Sequence, residues 1–189
     1  GTTTLLSKLT VAGGACITGV ITASNFVKAD GSSLGGFSQD STGNLVAGGG
    51  AGAAIDSDTC FNVLLGCNAG MSLNAGDDNV FIGKCAGCKS TSGNYNIAFG
   101  KLAMGSCDVT GENNIALGCQ AGLKVTSGNH NTFIGNNVAA NVATTGSYNF
   151  IFGKNGAVSL SSGSCNIVLG GYSGGSCLST GADNILLGS

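Results

Sequence analysis

A five-residue phrase recurs nine times and constrains the fold more than any other feature. It reads NIAFG at 96–100, NIALG at 114–118 and NIVLG at 166–170. A catalytic motif is needed once, whereas recurrence at a fixed spacing indicates a structural unit. The phrase begins with an asparagine every 17 or 18 residues, at Asn44, Asn62, Asn79, Asn96, Asn114, Asn131, Asn149, Asn166 and Asn184. It ends with a glycine four places later, at Gly48, Gly66, Gly83, Gly100, Gly118, Gly135, Gly153, Gly170 and Gly188.

The three residues between asparagine and glycine are almost all apolar, and many are β-branched or aromatic, which is typical of a short strand. A unit of 17 or 18 residues is too short for a βαβ unit or a propeller blade, but it suits one turn of a β-solenoid. The sequence therefore predicts an all-β fold, a parallel β-solenoid or β-roll. Stacked turns about 4.8 Å apart would align the asparagines into a hydrogen-bonded ladder and the glycines into a column of turns.

Side chains on a strand alternate between its two faces, so the first and third residues of each phrase point one way and the second the other. Both sets are apolar. One face can line the inside of the coil, and the other then needs a second cover. A partner copy of the chain is the simplest cover, so we predict a homo-oligomer. If the chain is instead a stable, soluble monomer, the second residues are covered within the chain, and a wider single-chain solenoid with a binding face is the better hypothesis.

The sequence pattern divides the chain into three segments. Residues 1–36 alternate apolar and polar residues before a Gly/Ser turn, which predicts an extended β segment that serves as a shaft, a neck or a cap. Residues 37–43 are expected to be a linker, and residues 44–189 the repeat array. The chain does not begin with Met and stops within a repeat, so we expect it to be part of a longer protein.

The composition argues against two classes of partner. Only 8% of the 189 residues are charged and the net charge is −2, so the chain offers no basic surface for nucleic acid. No apolar stretch approaches the roughly 20 residues that span a bilayer. We therefore expect neither nucleic-acid binding nor membrane insertion.

Reactive side chains do not converge in the sequence, and we predict no enzyme, no catalytic residue, no metal and no cofactor. The single histidine, His130, occupies a repeat position that varies between turns, although a trimer would be able to gather three copies around a metal. Asp77 and Asp78 are adjacent and would point apart on a strand, unlike the two carboxyls of a glycosidase. Lys84, Lys101 and Lys154 share one column, which predicts a solvated edge or, alternatively, a surface that attracts glycans.

Nine cysteines are present, an odd number. Cys85 and Cys88 have a metal-ligand or redox spacing, but no second such pair completes a zinc site. Cys107 and Cys177 fall eleven places after an asparagine, in a column that otherwise holds Leu and Val, so we expect them to be buried as small hydrophobes. Free thiols in this number favour assembly in a reducing cytoplasm.

The segments TSGNYNIAFGKLAMG at 91–105 and TGENNIALGCQAGLKVTSGNHNTFIG at 110–135 resemble repeats of bacteriophage tail-fibre and related virion fibre proteins. They are also similar to the head repeats of trimeric autotransporter adhesins, which have a shorter period. The segment SNFVKADGSSLGG at 24–36 looks like one that precedes such arrays in phage fibres. The resemblance implies a homotrimer of left-handed β-rolls or intertwined β-helices.

The main functional hypothesis is therefore a structural fibre segment of a phage or virus appendage, which supports or presents host-receptor binding. Its implied partners are two further copies, other virion or tail proteins and a host-surface glycan or receptor, with assembly in the host cytoplasm. The alternative is a bacterial surface adhesin head that binds host or matrix. A polysaccharide-cleaving tailspike ranks third and an ice-binding surface fourth.

Overall fold

The computed structural model describes residues 38–172 and 177–188. These residues contain ten strands and no helix, and the strands form one sheet in chain order. The strands are β1 (Ser38–Gln39), β2 (Leu45–Ala47), β3 (Val63–Leu65), β4 (Val80–Ile82), β5 (Ile97–Phe99), β6 (Ile115–Leu117), β7 (Thr132–Ile134), β8 (Phe150–Phe152), β9 (Ile167–Leu169) and β10 (Ile185–Leu187).

Strands β2 to β10 are parallel and in register, with one strand in each turn of the coil. Ile97 pairs with Ile115 and Phe99 with Leu117, so equivalent residues of the repeated phrase lie side by side on neighbouring strands. The predicted all-β parallel solenoid is confirmed, and it has about eight turns. At about 4.8 Å between neighbouring strands, the nine parallel strands extend for roughly 38 Å.

The core is a narrow column inside the coil. The second residue of each strand from β3 to β9 is fully buried there: Leu64, Phe81, Ala98, Ala116, Phe133, Ile151 and Val168. Small and branched residues of the return segments, such as Ala121, Val125 and Leu160, pack against them. The second column is thus covered within one chain. The face that lacks a cover is formed by the first and third residues of each strand. The alternation of side chains alone does not tell which of the two faces is the open one.

The glycine that ends each strand is held in a conformation that suits no other residue well. Its φ lies between 127° and 150° in every turn. A Cβ added at Gly83 would lie 2.7 Å from the carbonyl carbon of Gly100 in the next turn. The repeated glycine is therefore required both by its own backbone conformation and by the close approach of the neighbouring turn.

In the 18-residue turns that begin at Asn96 and Asn131, the extra residue lies in the return segment, before the residue that points into the core. Val109 and Thr144 are the buried residues there, thirteen places after their asparagines. Cys107 is only half-buried and Cys177 is exposed, so the prediction that both are buried was wrong. Counting forward from the asparagine fails because the insertion precedes the core position, and Leu178 packs on the core instead of Cys177.

The array begins with an antiparallel strand. β1 pairs with β2 in the opposite direction from all the later strands, through Gln39 opposite Leu45. The described part of the expected 37–43 linker is therefore a short hairpin arm on the sheet. The extended β segment predicted for residues 1–36 lies outside the described residues.

Candidate functional site on the outer face of the sheet

The repeated asparagines form a continuous ladder inside the coil. The Oδ1 of Asn62 accepts the backbone N–H of Asn79 at 2.9 Å and its Nδ2 at 3.0 Å. The second Nδ2 hydrogen of Asn79 goes to the carbonyl oxygen of Gly93 at 2.8 Å. Similar bonds recur along the array from Asn44 to Asn184. Each amide ties its own turn to both neighbours, so this predicted set of residues holds the coil together.

A second polar ladder runs two residues before the asparagines. The Asp77 carboxylate accepts the backbone N–H of Cys60 at 2.7 Å, and Asn94 Oδ1 accepts that of Asp77 at 2.7 Å. Asn129 Oδ1 accepts the N–H of Glu112 at 2.7 Å. This column was not predicted from the sequence, although acceptor side chains recur there at the same period as the asparagines. Asp77 thus has a structural role.

The residue directly before each asparagine stands at an exposed corner. His130 and Tyr148 hold this position in successive turns, both with φ near +60°, and their rings stack at 4.9 Å with an interplanar angle of 9°. Asp78 and Tyr95 occupy the same column and are exposed. His130 is therefore one member of a variable surface ridge, and Asp78 points to the surface while Asp77 joins the second ladder.

The outer face of the sheet is the most distinctive surface of the molecule. It consists of the first and third residues of strands β2 to β10, and Thr132 is its only polar member. Phe99 is 55% exposed, Phe152 is 52% exposed and Leu187 is 72% exposed. Soluble monomers rarely expose a contiguous apolar surface of this kind, and such surfaces mark interaction sites.

The lysine column borders this outer face at the turns after β4, β5 and β8. Lys84, Lys101 and Lys154 are all exposed. Lys154 Nζ lies 5.1 Å from the ring centroid of Tyr172, in the next turn, an arrangement typical of a cation–π contact. The column is a solvated edge in the single chain.

The cysteines are free thiols in the described part of the array. Cys88 is buried, and its Sγ donates to the carbonyl oxygen of Gly105 at 3.0 Å. Burial, with the neighbouring Cys85, raises the pKa of the Cys88 thiol. Partial desolvation and then the carboxylates of Asp77 and Asp40 raise the pKa of Cys60. Both thiols are thus disfavoured as thiolates, which are the forms that bind metal.

Within residues 38–172 and 177–188, no group of three or more His, Cys, Asp or Glu side chains is placed to hold a metal ion. The same residues include no helix of the length and apolarity that a membrane crossing requires. Comparison of the chain with protein-family models, curated proteins and solved structures finds no match.

Proposed function

We propose that this chain is a structural fibre segment of a phage or virus appendage, in which three copies associate through the outer face and support or present a receptor-binding part. The main support for this proposal is the open apolar face, which runs along the whole set of parallel strands and includes Phe99, Phe152 and Leu187. A face of this kind needs a cover of the same length and the same apolar character. Another copy of the chain supplies both.

The chemistry of the face supports a permanent contact between copies. A homo-oligomer interface resembles a protein core and is depleted of charge at its centre. No charged residue occurs in the first or third column of β2 to β10. The lysines instead border the face, at Lys84, Lys101 and Lys154, where they would remain in water around the buried contact. The number of copies and the left-handed winding come from the resemblance to fibre repeats.

The interior of the coil supports a mechanical role. Each turn contacts only its neighbours, so the array behaves as a one-dimensional stack that can be lengthened by adding turns. The asparagine ladder crosses each junction between Asn44 and Asn184 with buried or half-buried hydrogen bonds, and the second polar ladder adds half-buried bonds at several of these junctions. A rod about 38 Å long is held along its axis in this way. Such a rod is suited to separating a base from a tip.

A bacterial surface adhesin head is the second candidate, and the exposed corner ridge favours it. The residue at this corner differs from turn to turn and includes Tyr95, His130 and Tyr148, because the fold demands no particular side chain there. Variable side chains on a repeated backbone are the arrangement expected of a binding surface. In this case the array itself would contact a host surface or matrix, and the protein would lie on the bacterial cell surface instead of the virion.

The test of the fibre proposal is the solution mass of the 189-residue chain, measured by light scattering at low micromolar concentration with reductant. The expected mass is three times 18.3 kDa. Phe152→Glu places a charge on the outer face and is expected to lower the mass. Tyr148→Glu is the matched control, because it adds the same charge at an exposed corner next to the same strand, and it should keep the wild-type mass.

A wild-type mass of 18.3 kDa would overturn the association between copies, and a dimer or tetramer would overturn the threefold assembly. Binding of the labelled array to bacterial cells, animal cells and matrix proteins separates the two candidates. The fibre proposal expects no binding by the array itself. The adhesin alternative expects binding that Tyr95→Ala and Tyr148→Ala reduce.

A further inference from the structure

The asparagine ladder has a special arrangement at its first turn. In later turns, the backbone N–H of each asparagine donates to the Oδ1 of the preceding asparagine, as in Asn62 to Asn44 at 2.8 Å. Residues 38–43, the described residues before Asn44, contain no asparagine. The Asn44 backbone N–H donates to Asp40 Oδ1 at 2.9 Å, and its Nδ2 donates to Asp40 Oδ2 at 2.9 Å. We propose that Asp40 is an acid-labile end cap of the ladder, whose carboxylate replaces the missing amide oxygen.

The carboxylate is placed by the hairpin that joins β1 to β2. The backbone N–H and the Oγ1 of Thr42 also donate to Asp40 Oδ1, at 3.0 and 2.9 Å. The Asp40 backbone N–H donates to the Asn44 carbonyl oxygen at 3.0 Å, which closes the turn. The cap therefore holds both the first asparagine of the ladder and the hairpin that pairs β1 with the edge of β2.

Phe61, at the end of the first turn, packs over this hairpin. The Phe61 backbone N–H donates to the Thr42 carbonyl oxygen at 3.2 Å. The Phe61 ring lies so close to Gly43 that a Cβ there would come within 2.8 Å of its Cδ1. Opening of the cap is thus expected to expose the Phe61 amide as well as that of Asn44, which gives two independent reporters of the same event.

A carboxylate suits this position because its two oxygens together accept four hydrogen bonds. Partial desolvation raises the pKa of Asp40, but the hydrogen bonds from Asn44 and Thr42 outweigh it and hold the pKa below its ordinary value. A carboxyl whose pKa is lower in the folded state than in the unfolded state stabilises the fold at pH values above its unfolded-state pKa. That stabilisation is lost as the pH falls through the folded pKa. Acid should therefore release the hairpin and the first turn.

Other titratable groups lie on this end of the coil. Cys60 in the first turn is close enough to Asp40, Asp58, Asp77 and Asp78 for all four carboxylates to raise its pKa. The three other aspartates are carboxylates like Asp40 itself. Asp77 accepts the Cys60 backbone N–H at 2.7 Å, so it belongs to the second ladder and not to the cap. Asp58 is exposed and provides a charge control.

The experiment measures backbone amide hydrogen exchange by NMR on the full 189-residue chain, corrected for the intrinsic rate at each pH. Asp40→Ala is expected to speed exchange at Asn44 and Phe61 by about tenfold or more, because the Asn44 backbone N–H loses its acceptor and Thr42 loses the carboxylate that holds the hairpin. Exchange at Asn114 and Ile115, in the middle of the array, should stay within about twofold of wild type. Asp40→Asn keeps one acceptor oxygen and should fall between the two.

Asp58→Asn removes a neighbouring charge and should leave exchange at Asn44 unchanged. On lowering the pH from neutral to about 2, through the lowered pKa of Asp40, wild type should lose protection at Asn44 and Phe61, and Asp40→Ala should show no such step. Unchanged exchange at Asn44 in Asp40→Ala would overturn the cap. Equal loss of protection at Asn44 and Asn114 would overturn its local character, and a pH step that persists in Asp40→Ala would assign the acid response to another carboxyl.

Discussion

The side-chain oxygen of Asn114 accepts two hydrogen bonds from Asn131, one from its backbone N–H and one from its Nδ2, both at 3.0 Å. Asn114 in turn donates to Asn96 Oδ1 through its N–H at 2.9 Å and its Nδ2 at 3.1 Å. Its remaining Nδ2 hydrogen reaches the Gly128 carbonyl oxygen at 2.8 Å. These three asparagines are fully buried. One amide therefore satisfies polar groups in three turns where water does not reach them.

Asn114→Ala is expected to lower the free energy of unfolding by about 3–6 kcal/mol. The change leaves two donors of Asn131 without an acceptor and removes the donor from Gly128, and each buried polar group left unpaired costs about 1–3 kcal/mol. Urea unfolding at a fixed protein concentration, followed by circular dichroism, measures the change.

Asn136→Ala is the matched control for this substitution, because it removes the same side chain from an exposed position. Its effect should stay within about 0.5 kcal/mol. Equal effects of the two substitutions would mean that the ladder contributes no more than a surface amide.

Much of the architecture was predictable because the repeat period of a solenoid sequence fixes the register in which neighbouring strands pair. Once Asn96 and Asn114 are recognised as equivalent, stacking of their strands follows, and the paired strands β5 and β6 have that register. Apolar residues on both faces also indicated that one face would remain without a cover in a single chain. The exposed Phe99 and Phe152 carry that face.

Other features depended on where the chain bends, which the period does not specify. Cys107 was misplaced because the insertion in its turn precedes Val109, so spacing from the preceding asparagine gave the wrong core residue. The role of Asp40 was missed because it lies before the first repeat, within a stretch that looked like a linker. The proposed role becomes visible only when the hydrogen bonds that Asn44 donates to Asp40 are located.

Gly83→Ala is expected to destabilise the array strongly, by about 2–4 kcal/mol. Gly83 has a φ of 130°, and an added Cβ would lie 2.7 Å from the carbonyl group of Gly100, so neither the residue nor the neighbouring turn can adjust easily. Thermal unfolding followed by circular dichroism reports the loss.

Gly49→Ala supplies the comparison for Gly83, because a Cβ at Gly49 would meet nothing within 4 Å. It should leave stability unchanged or raise it by up to about 1 kcal/mol through a less flexible unfolded chain. If Gly83→Ala is tolerated as well as Gly49→Ala, close stacking of the glycine column is not needed for the fold.

The thiols are expected to react with a disulfide reagent at very different rates. Cys67 and Cys165 are exposed and should react first, whereas Cys88 is buried and its raised pKa keeps it protonated at neutral pH. Reaction of the native protein with Ellman's reagent, followed over time, should contain a slow phase whose amplitude falls in Cys88→Ala and is unchanged in Cys165→Ala. An unchanged amplitude of the slow phase in Cys88→Ala would contradict the assignment.

Ser90→Ala is expected to raise the free energy of unfolding by about 1 kcal/mol. Ser90 is 1% exposed and its hydroxyl has no hydrogen-bond partner among the described residues, while the preceding turn places Leu73 and the following turn Val109 at this point of the core. An unpaired buried hydroxyl costs free energy that a methyl group does not. Urea unfolding of Ser90→Ala beside Ser92→Ala, which alters an exposed serine two residues away, measures the difference. A loss of stability in Ser90→Ala alone would show that the hydroxyl is satisfied in solution.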